Sequence, residues 1–232
     1  MNFTIRHFPV AVLLVACFHA RGSTTGFVTP DFRGQAGTEY GLWDNPNNFS
    51  IPLSASLTAP GNVANPGGTT DAVIRQMAGA PGEVFITGGN GAGNLYSFSI
   101  ASQFVLSDVS AVPLDQVWLQ VRANGSELDY ESVKLSYDLG SGPQFVSATR
   151  TETDRTSLDG NGFAVSSKWE FHLNGLNVQE YTILFNASGP SLSLDSVSLD
   201  TSIVPEPSAY ALALAGGVTC LAVWRRRFVA DK

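Results

Sequence analysis

Cysteine is nearly missing from this chain. Its 232 residues hold two, Cys17 and Cys220, and both lie inside apolar terminal stretches. The body between them has none, which excludes a disulfide framework, a thiol nucleophile and a cysteine-based zinc site there. Histidine is almost as scarce. His7 and His19 fall in the N-terminal stretch and leave His172 alone in the body. A histidine-rich metal site is therefore excluded. A Ser-His-Asp triad would have to use His172, with no nucleophile-elbow motif beside it. Charge is thin too, at 14% of residues against roughly 25% in an ordinary soluble domain. Segments of helical period are also lacking in the body; residues 71–77 offer one short helical turn and nothing longer.

What fills the gap is Gly, Ser, Thr and Asn, the composition of a turn-rich all-β domain. The few charges are unevenly spread. Between Ser23 and Glu206 there are 7 basic and 19 acidic residues, a net of −12. A body this negative is a poor partner for nucleic acid. It suits solubility, divalent cations or neutral sugars.

The body reads as strands separated by turns. In "QVWLQVRA", Val117, Leu119, Val121 and Ala123 alternate with Trp118, Gln120 and Arg122. "KWEFHL" sets Trp169, Phe171 and Leu173 on one face, with His172 exposed on the other. "EYTILFN" sets Tyr181, Ile183 and Phe185 together, and "NLYSFSI" aligns Tyr96, Phe98 and Ile100. Alternation of period two predicts half-buried strands of antiparallel sheets. Further strands are expected at 104–106, 133–137, 145–150, 163–166 and 192–199. In the last of these, Leu192 and Leu194 are out of phase with Val197 and Leu199, so a bulge is expected near Asp195-Ser196. Asn-Gly, Asp-Gly and Gly-rich turns separate the runs at 123–127, 139–143, 158–162, 173–177 and 187–190. From Leu95 onward this makes about nine strands. Residues 54–94 are rich in Gly, Ala, Pro, Asn and Thr, with one clear strand at 84–87, and read as a long decorated loop. Residues 38–53 are expected to supply first strands to the same body.

The two ends differ from the body. Arg6 and His7 precede "FPVAVLLVACF", a run too short to span a bilayer comfortably, in the pattern of a signal peptide. Small residues at Ala20 and Gly22 place cleavage before Ser23. The alternative is a lipobox, Leu14-Val15-Ala16-Cys17, which would lipidate Cys17. At the other end, residues 209–224 form an uncharged run of about 24 Å as a helix. This is short of the ~30 Å hydrocarbon core, but Arg225, Arg226 and Arg227 can snorkel and extend it. They also act as a membrane stop and keep the C-terminus cytoplasmic. Ahead of the run, Pro205 and Pro207 flank Glu206. This disfavours helix and central strand and leaves a stiff, extended, accessible peptide, and Ser208 can cap the helix that follows.

This tail resembles the PEP-CTERM sorting signal of Gram-negative bacteria. The likeness covers Val204, Pro205, Glu206, Pro207 and Ser208, the span 209–224, and Arg225 to Arg227, in that order at the C-terminal end. The resemblance implies that an exosortase, a membrane-embedded processing enzyme, acts on the tail, and that the host makes extracellular polysaccharide. The chain would be that enzyme's substrate.

The expected fold is all-β, an antiparallel β-sandwich of jelly-roll type, with one C-terminal transmembrane helix. The expected order is signal peptide 1–22, extracellular domain 23–203, PEP motif 204–208, transmembrane helix 209–224 and basic cytoplasmic tail 225–232. The expected role is that of an exported envelope or secreted protein, non-enzymatic, associated with extracellular polysaccharide or biofilm matrix. A carbohydrate-binding module is the alternative, with Trp43 and Trp118 as sugar contacts. A glycan-active enzyme ranks below it. It would need a carboxylate pair, and nothing singles out one pair among Glu127, Asp129, Glu131 and Glu170. No cofactor is called for. A structural calcium would draw on Glu39, Asp44 and Asp195 by analogy with sugar-binding jelly rolls.

Overall fold

The computed structural model describes residues 24–44, 68–77, 85–86, 95–96 and 101–204. The expected signal peptide, most of the PEP motif, the transmembrane span and the basic tail lie outside these residues.

Among the described residues, twelve strands build two sheets. They are β1 (Thr38–Trp43), β2 (Val73–Gln76), β3 (Phe85–Ile86), β4 (Leu95–Tyr96), β5 (Gln103–Val109), β6 (Leu114–Gly125), β7 (Leu128–Asp138), β8 (Pro143–Val146), β9 (Thr149–Ser157), β10 (Phe163–His172), β11 (Glu180–Ala187) and β12 (Leu192–Ile203). The larger sheet runs β3-β4-β12-β6-β10-β9, with β1 also paired to β12; the smaller runs β2-β5-β11-β7-β8. Every described pairing is antiparallel. No helix among the described residues is long and apolar enough to cross a membrane.

The alternating runs explain this arrangement. Val117, Leu119, Val121 and Ala123 of β6 are buried, as are Trp169 and Phe171 of β10 and Tyr181, Ile183 and Phe185 of β11. They join one apolar core fed by both sheets. Phe104 and Phe185, directly opposed across β5 and β11, stack with ring centroids 5.3 Å apart. Such a cross-strand pair contributes about 0.2–1 kcal/mol. The expected bulge in β12 is present: Leu194 faces Ala123 and Ser196 faces Arg122, so Asp195 is the extra residue. It lets Leu192, Leu194, Val197 and Leu199 all reach the core.

Turn chemistry closes the hairpins. Between β7 and β8, Asp138 Oδ1 accepts the N–H groups of Gly140 at 2.7 Å and Gly142 at 3.0 Å. Both glycines have positive φ, which the turn requires and an L side chain resists.

Three expectations are corrected. Residues 71–77 hold strand β2 instead of a helical turn, because Ala72 and Ile74 both bury their side chains and β2 pairs with β5. The single strand expected over 145–150 is two, β8 in the smaller sheet and β9 in the larger, with the chain changing sheet between Val146 and Thr149. Trp43 is a core residue, 0% exposed, since β1 lies against β12 and turns its indole inward; no sugar ring reaches it. His172 is exposed, as expected.

Replacing Trp43 with alanine is predicted to remove about 3–5 kcal/mol of stability. Urea unfolding of wild type and Trp43→Ala measures it directly; a loss under 1 kcal/mol would contradict the core placement.

Candidate functional site

The inward residues of β6 are apolar, so its polar residues Trp118, Gln120 and Arg122 face outward. Gln120 is nevertheless 0% and Arg122 7% exposed. The cover is residues 24–37, which cross the outer face of the larger sheet as a strap. Gln120 grips Val28 like a rung of sheet: its Nε2 donates to Val28 O at 2.8 Å and its Oε1 accepts from Val28 N at 2.7 Å. Arg122 donates through Nη1 to Asp154 Oδ2 at 2.9 Å, Ser166 Oγ at 3.0 Å and Thr25 O at 3.2 Å. Its Nε lies 3.4 Å from Asp195 Oδ2. Ser166 Oγ also donates to Thr25 O at 2.6 Å. The strap approaches so closely that a Cβ on Gly26 would lie 2.5 Å from Asp154 Cβ. That space and its φ of +83° admit only glycine.

Farther along, Arg33 clamps Asp200 with both ends of its guanidinium, Nε to Oδ1 at 2.5 Å and Nη2 to Oδ2 at 2.7 Å. Asp200 is fully buried. A bidentate, charge-assisted pair is among the strongest hydrogen-bonded arrangements, and here it compensates a carboxylate taken out of water. Arg33 also lies over the Tyr40 ring, 3.9 Å from its centroid.

Trp118 is half-buried within this assembly. Phe32 of the strap meets it edge-on at 5.7 Å, and Lys168 Nζ sits 4.1 Å above its ring while holding Glu170 at 2.6 Å. Both contacts take up part of its ring surface. Of the expected calcium ligands, Asp44 follows Trp43, which pairs with Val197 two residues from Asp195, whereas Glu39 lies far from both. Glu39 pairs with Thr201 in β12, six residues from Asp195, or about 20 Å along the strand. Asp195 already faces Arg122. Among the described residues no group of three acidic, cysteine or histidine side chains could hold a metal ion.

The carboxylates weighed as a hydrolytic pair have other duties. Arg155 holds Glu127 at 2.7 and 2.9 Å through its two terminal nitrogens, and Tyr130 donates to the same carboxylate. Arg155 is the main cause that pulls the Glu127 pKa down to about 2. Arg150 lies 3.4 Å over the Tyr130 ring. This cluster ties β9 of one sheet to the β6–β7 corner. Glu170 is ion-paired to Lys168, while Asp129 and Glu131 lie exposed on β7.

At the other margin, between β1 and β5, Asp108 is 4% exposed. It accepts hydrogen bonds from Tyr181 Oη at 2.9 Å and Thr70 Oγ1 at 3.3 Å. Burial pushes its carboxyl up despite the Tyr181 bond, and Asp71 adds to the rise. Burial, then Asp108 and Asp71, raises Glu39. The sequence carries no mark of this cluster or of the strap: both consist of ordinary polar residues whose burial comes from distant segments.

Two predictions follow from these charges. Arg33→Ala strands a buried carboxylate and is expected to cost about 3–5 kcal/mol; Arg33→Ala combined with Asp200→Asn recovers most of it, as read by chemical unfolding. The second concerns pH. A carboxyl whose pKa is raised by folding penalises the fold at neutral pH, and the penalty fades as pH falls through the raised value. Asp108, Glu39 and Asp200 are of this kind, Asp200 through burial that its Arg33 bonds only partly offset. Glu127 works oppositely, and its contribution is lost between about pH 4.5 and 2. Asp108→Asn is therefore expected to reduce the gain in melting temperature that acidification brings, and Glu127→Gln to reduce the loss below about pH 4.5; variants whose pH profiles match wild type would refute the assignment.

No family model, no curated protein and no solved structure matches this chain.

Proposed function

We propose that this chain is an exported, non-enzymatic envelope or secreted protein, delivered by an N-terminal signal and sorted through a PEP-CTERM tail, with its β domain working among extracellular polysaccharides. The observation that carries the reading is the tail itself: Val204, Pro205, Glu206, Pro207 and Ser208, then the apolar run 209–224, then Arg225, Arg226 and Arg227. Exosortase-type processing is the partner chemistry this tail calls for. The membrane precursor has its body outside and its C-terminus in the cytoplasm. The fold is compatible with a detachable tail, because the last strand ends at Ile203 and the Val204 N–H bonds to Pro113 O at 2.9 Å. Among the described residues the last strand thus ends before the PEP motif's first proline.

We read the domain as a β-sandwich of jelly-roll type. The support is strand order, β1-β12-β6-β10 in one sheet and β5-β11-β7-β8 in the other. Through these four strands of each sheet the chain passes back and forth as a jelly roll does, and β2, β3, β4 and β9 extend the sheets beyond them. The non-enzymatic part draws support from Glu127 and Glu170, whose carboxylates are held by Arg155 and Lys168.

Intact-mass analysis of protein recovered from the native host tests the sorting. Wild type is expected to lack both ends, and a triple Pro205→Ala, Glu206→Ala, Pro207→Ala variant to retain residues 205–232 in the membrane fraction. Wild-type protein found in the cytosol with both ends intact would refute the proposal.

A further inference from the structure

We infer that the end of the two sheets where three turns converge is a binding cleft for a neutral saccharide. Gly125 and Ser126 after β6, Leu158, Asn161 and Gly162 between β9 and β10, and Ser191 before β12 meet there, flanked by Tyr96, Asn124 and Ser193. The cleft encloses about 560 Å³, inside the ~300–1,000 Å³ of small-molecule sites.

The turns are locked backbone against backbone. A Cβ on Gly162 would lie 2.6 Å from Gly125 O, and one on Gly125 would lie 2.6 Å from Ser191 O. Both glycines have positive φ, +87° and +82°. The Ser126 N–H donates to Ser191 O at 3.3 Å, its hydroxyl donates to Pro190 O, and the Leu158 N–H donates to Gly162 O at 3.0 Å. Ser191 is itself left-handed at φ +67°, a conformation that costs a serine free energy and persists only where the surroundings enforce it. The cleft is therefore built before any ligand arrives, which lowers the ordering cost of binding.

Its chemistry selects the ligand. The described lining holds no carboxylate and no Lys, Arg or His. Among the described lining an anion would find no cation, and it would approach a body of net −12. A cation would find no carboxylate among the same residues. The lining instead offers the amides of Asn124 and Asn161 and the hydroxyls of Ser126 and Ser191, beside the ring of Tyr96 and the side chain of Leu158. A wholly apolar ligand would leave these polar groups unmatched. A neutral sugar meets all of these conditions, with hydroxyls that both donate and accept and C–H faces that cover a ring. The cleft lies at the far end of β6 from Trp118, six residues away, so the two surfaces can be tested apart.

This inference rests on the reading of the chain as a polysaccharide-associated protein and names the site responsible. The test is affinity electrophoresis of the protein purified from its host, in native gels containing dextran, β-glucan or galactomannan, with hyaluronan as the charged comparison. Retardation is expected in at least one neutral gel. It should weaken at least tenfold in Asn161→Ala and in Tyr96→Ala and stay unchanged in Trp118→Ala. Asn161 is exposed, so its variant keeps the test valid even where Tyr96→Ala fails to fold; a thermal melt of each variant shows which is the case. Retardation by hyaluronan alone, no retardation in any neutral gel, or loss in Trp118→Ala with Asn161→Ala unaffected would each overturn the cleft. Cytosolic protein that still binds a neutral glycan would remove the export reading and keep the cleft. Exported protein that binds none would do the reverse.

Discussion

The antiparallel pairing of β6 with β12 is the constraint on which the rest of the structure depends. The two strands run together from Leu192 opposite Gly125 to Ile203 opposite Leu114. One face of this ribbon supplies Val117, Leu119, Val121, Val197 and Leu199 to the core. The other carries Gln120, Arg122, Ser198 and Asp200, which are equally buried. A strand pair covered on both faces with one polar side needs partners for most of the polar groups there. The strap supplies the matches: Val28 for Gln120, Thr25 for Arg122 and Arg33 for Asp200. β12 also holds β1 and β4 along its other edge, so displacement of the ribbon would undo most of the larger sheet.

Much of this was legible in the sequence, because one inward face leaves a period-two signature. Strands β5, β6, β7, β11 and β12, the turns at 139–143 and 158–162 and the bulge at Asp195 follow from alternation and turn chemistry, while the runs expected at 163–166 and 168–173 are one strand, β10. The reading failed where the signature was short or ambiguous. "DAVIRQM" is too brief to separate a helical turn from a strand, and its pairing with β5 decided the matter. Residues 145–150 looked continuous because a change of sheet leaves no mark in alternation.

Functional surfaces were less legible. Trp43 and Trp118 were singled out for their chemistry, yet one is core and the other is covered by Phe32 and Lys168. Alternation reports which side of a strand a residue faces, not whether another segment lies over it. Glu39 and Asp195 share the β1–β12 region but stand at different heights along it, information that register holds and composition does not. The converging turns were visible individually as Gly-rich stretches. Their meeting around Tyr96 and Asn124 depends on the order of strands in two sheets.

Gln120 reads only the main chain of Val28, through one donor and one acceptor that every residue except proline provides. Position 28 is therefore chemically permissive, whereas Gly26, two residues earlier, is fixed by the crowding of Asp154 and Ser166. Substitution can pass freely through one point of the strap while its neighbour tolerates none, so the strap's attachment can outlast wide divergence in the side chains that it carries.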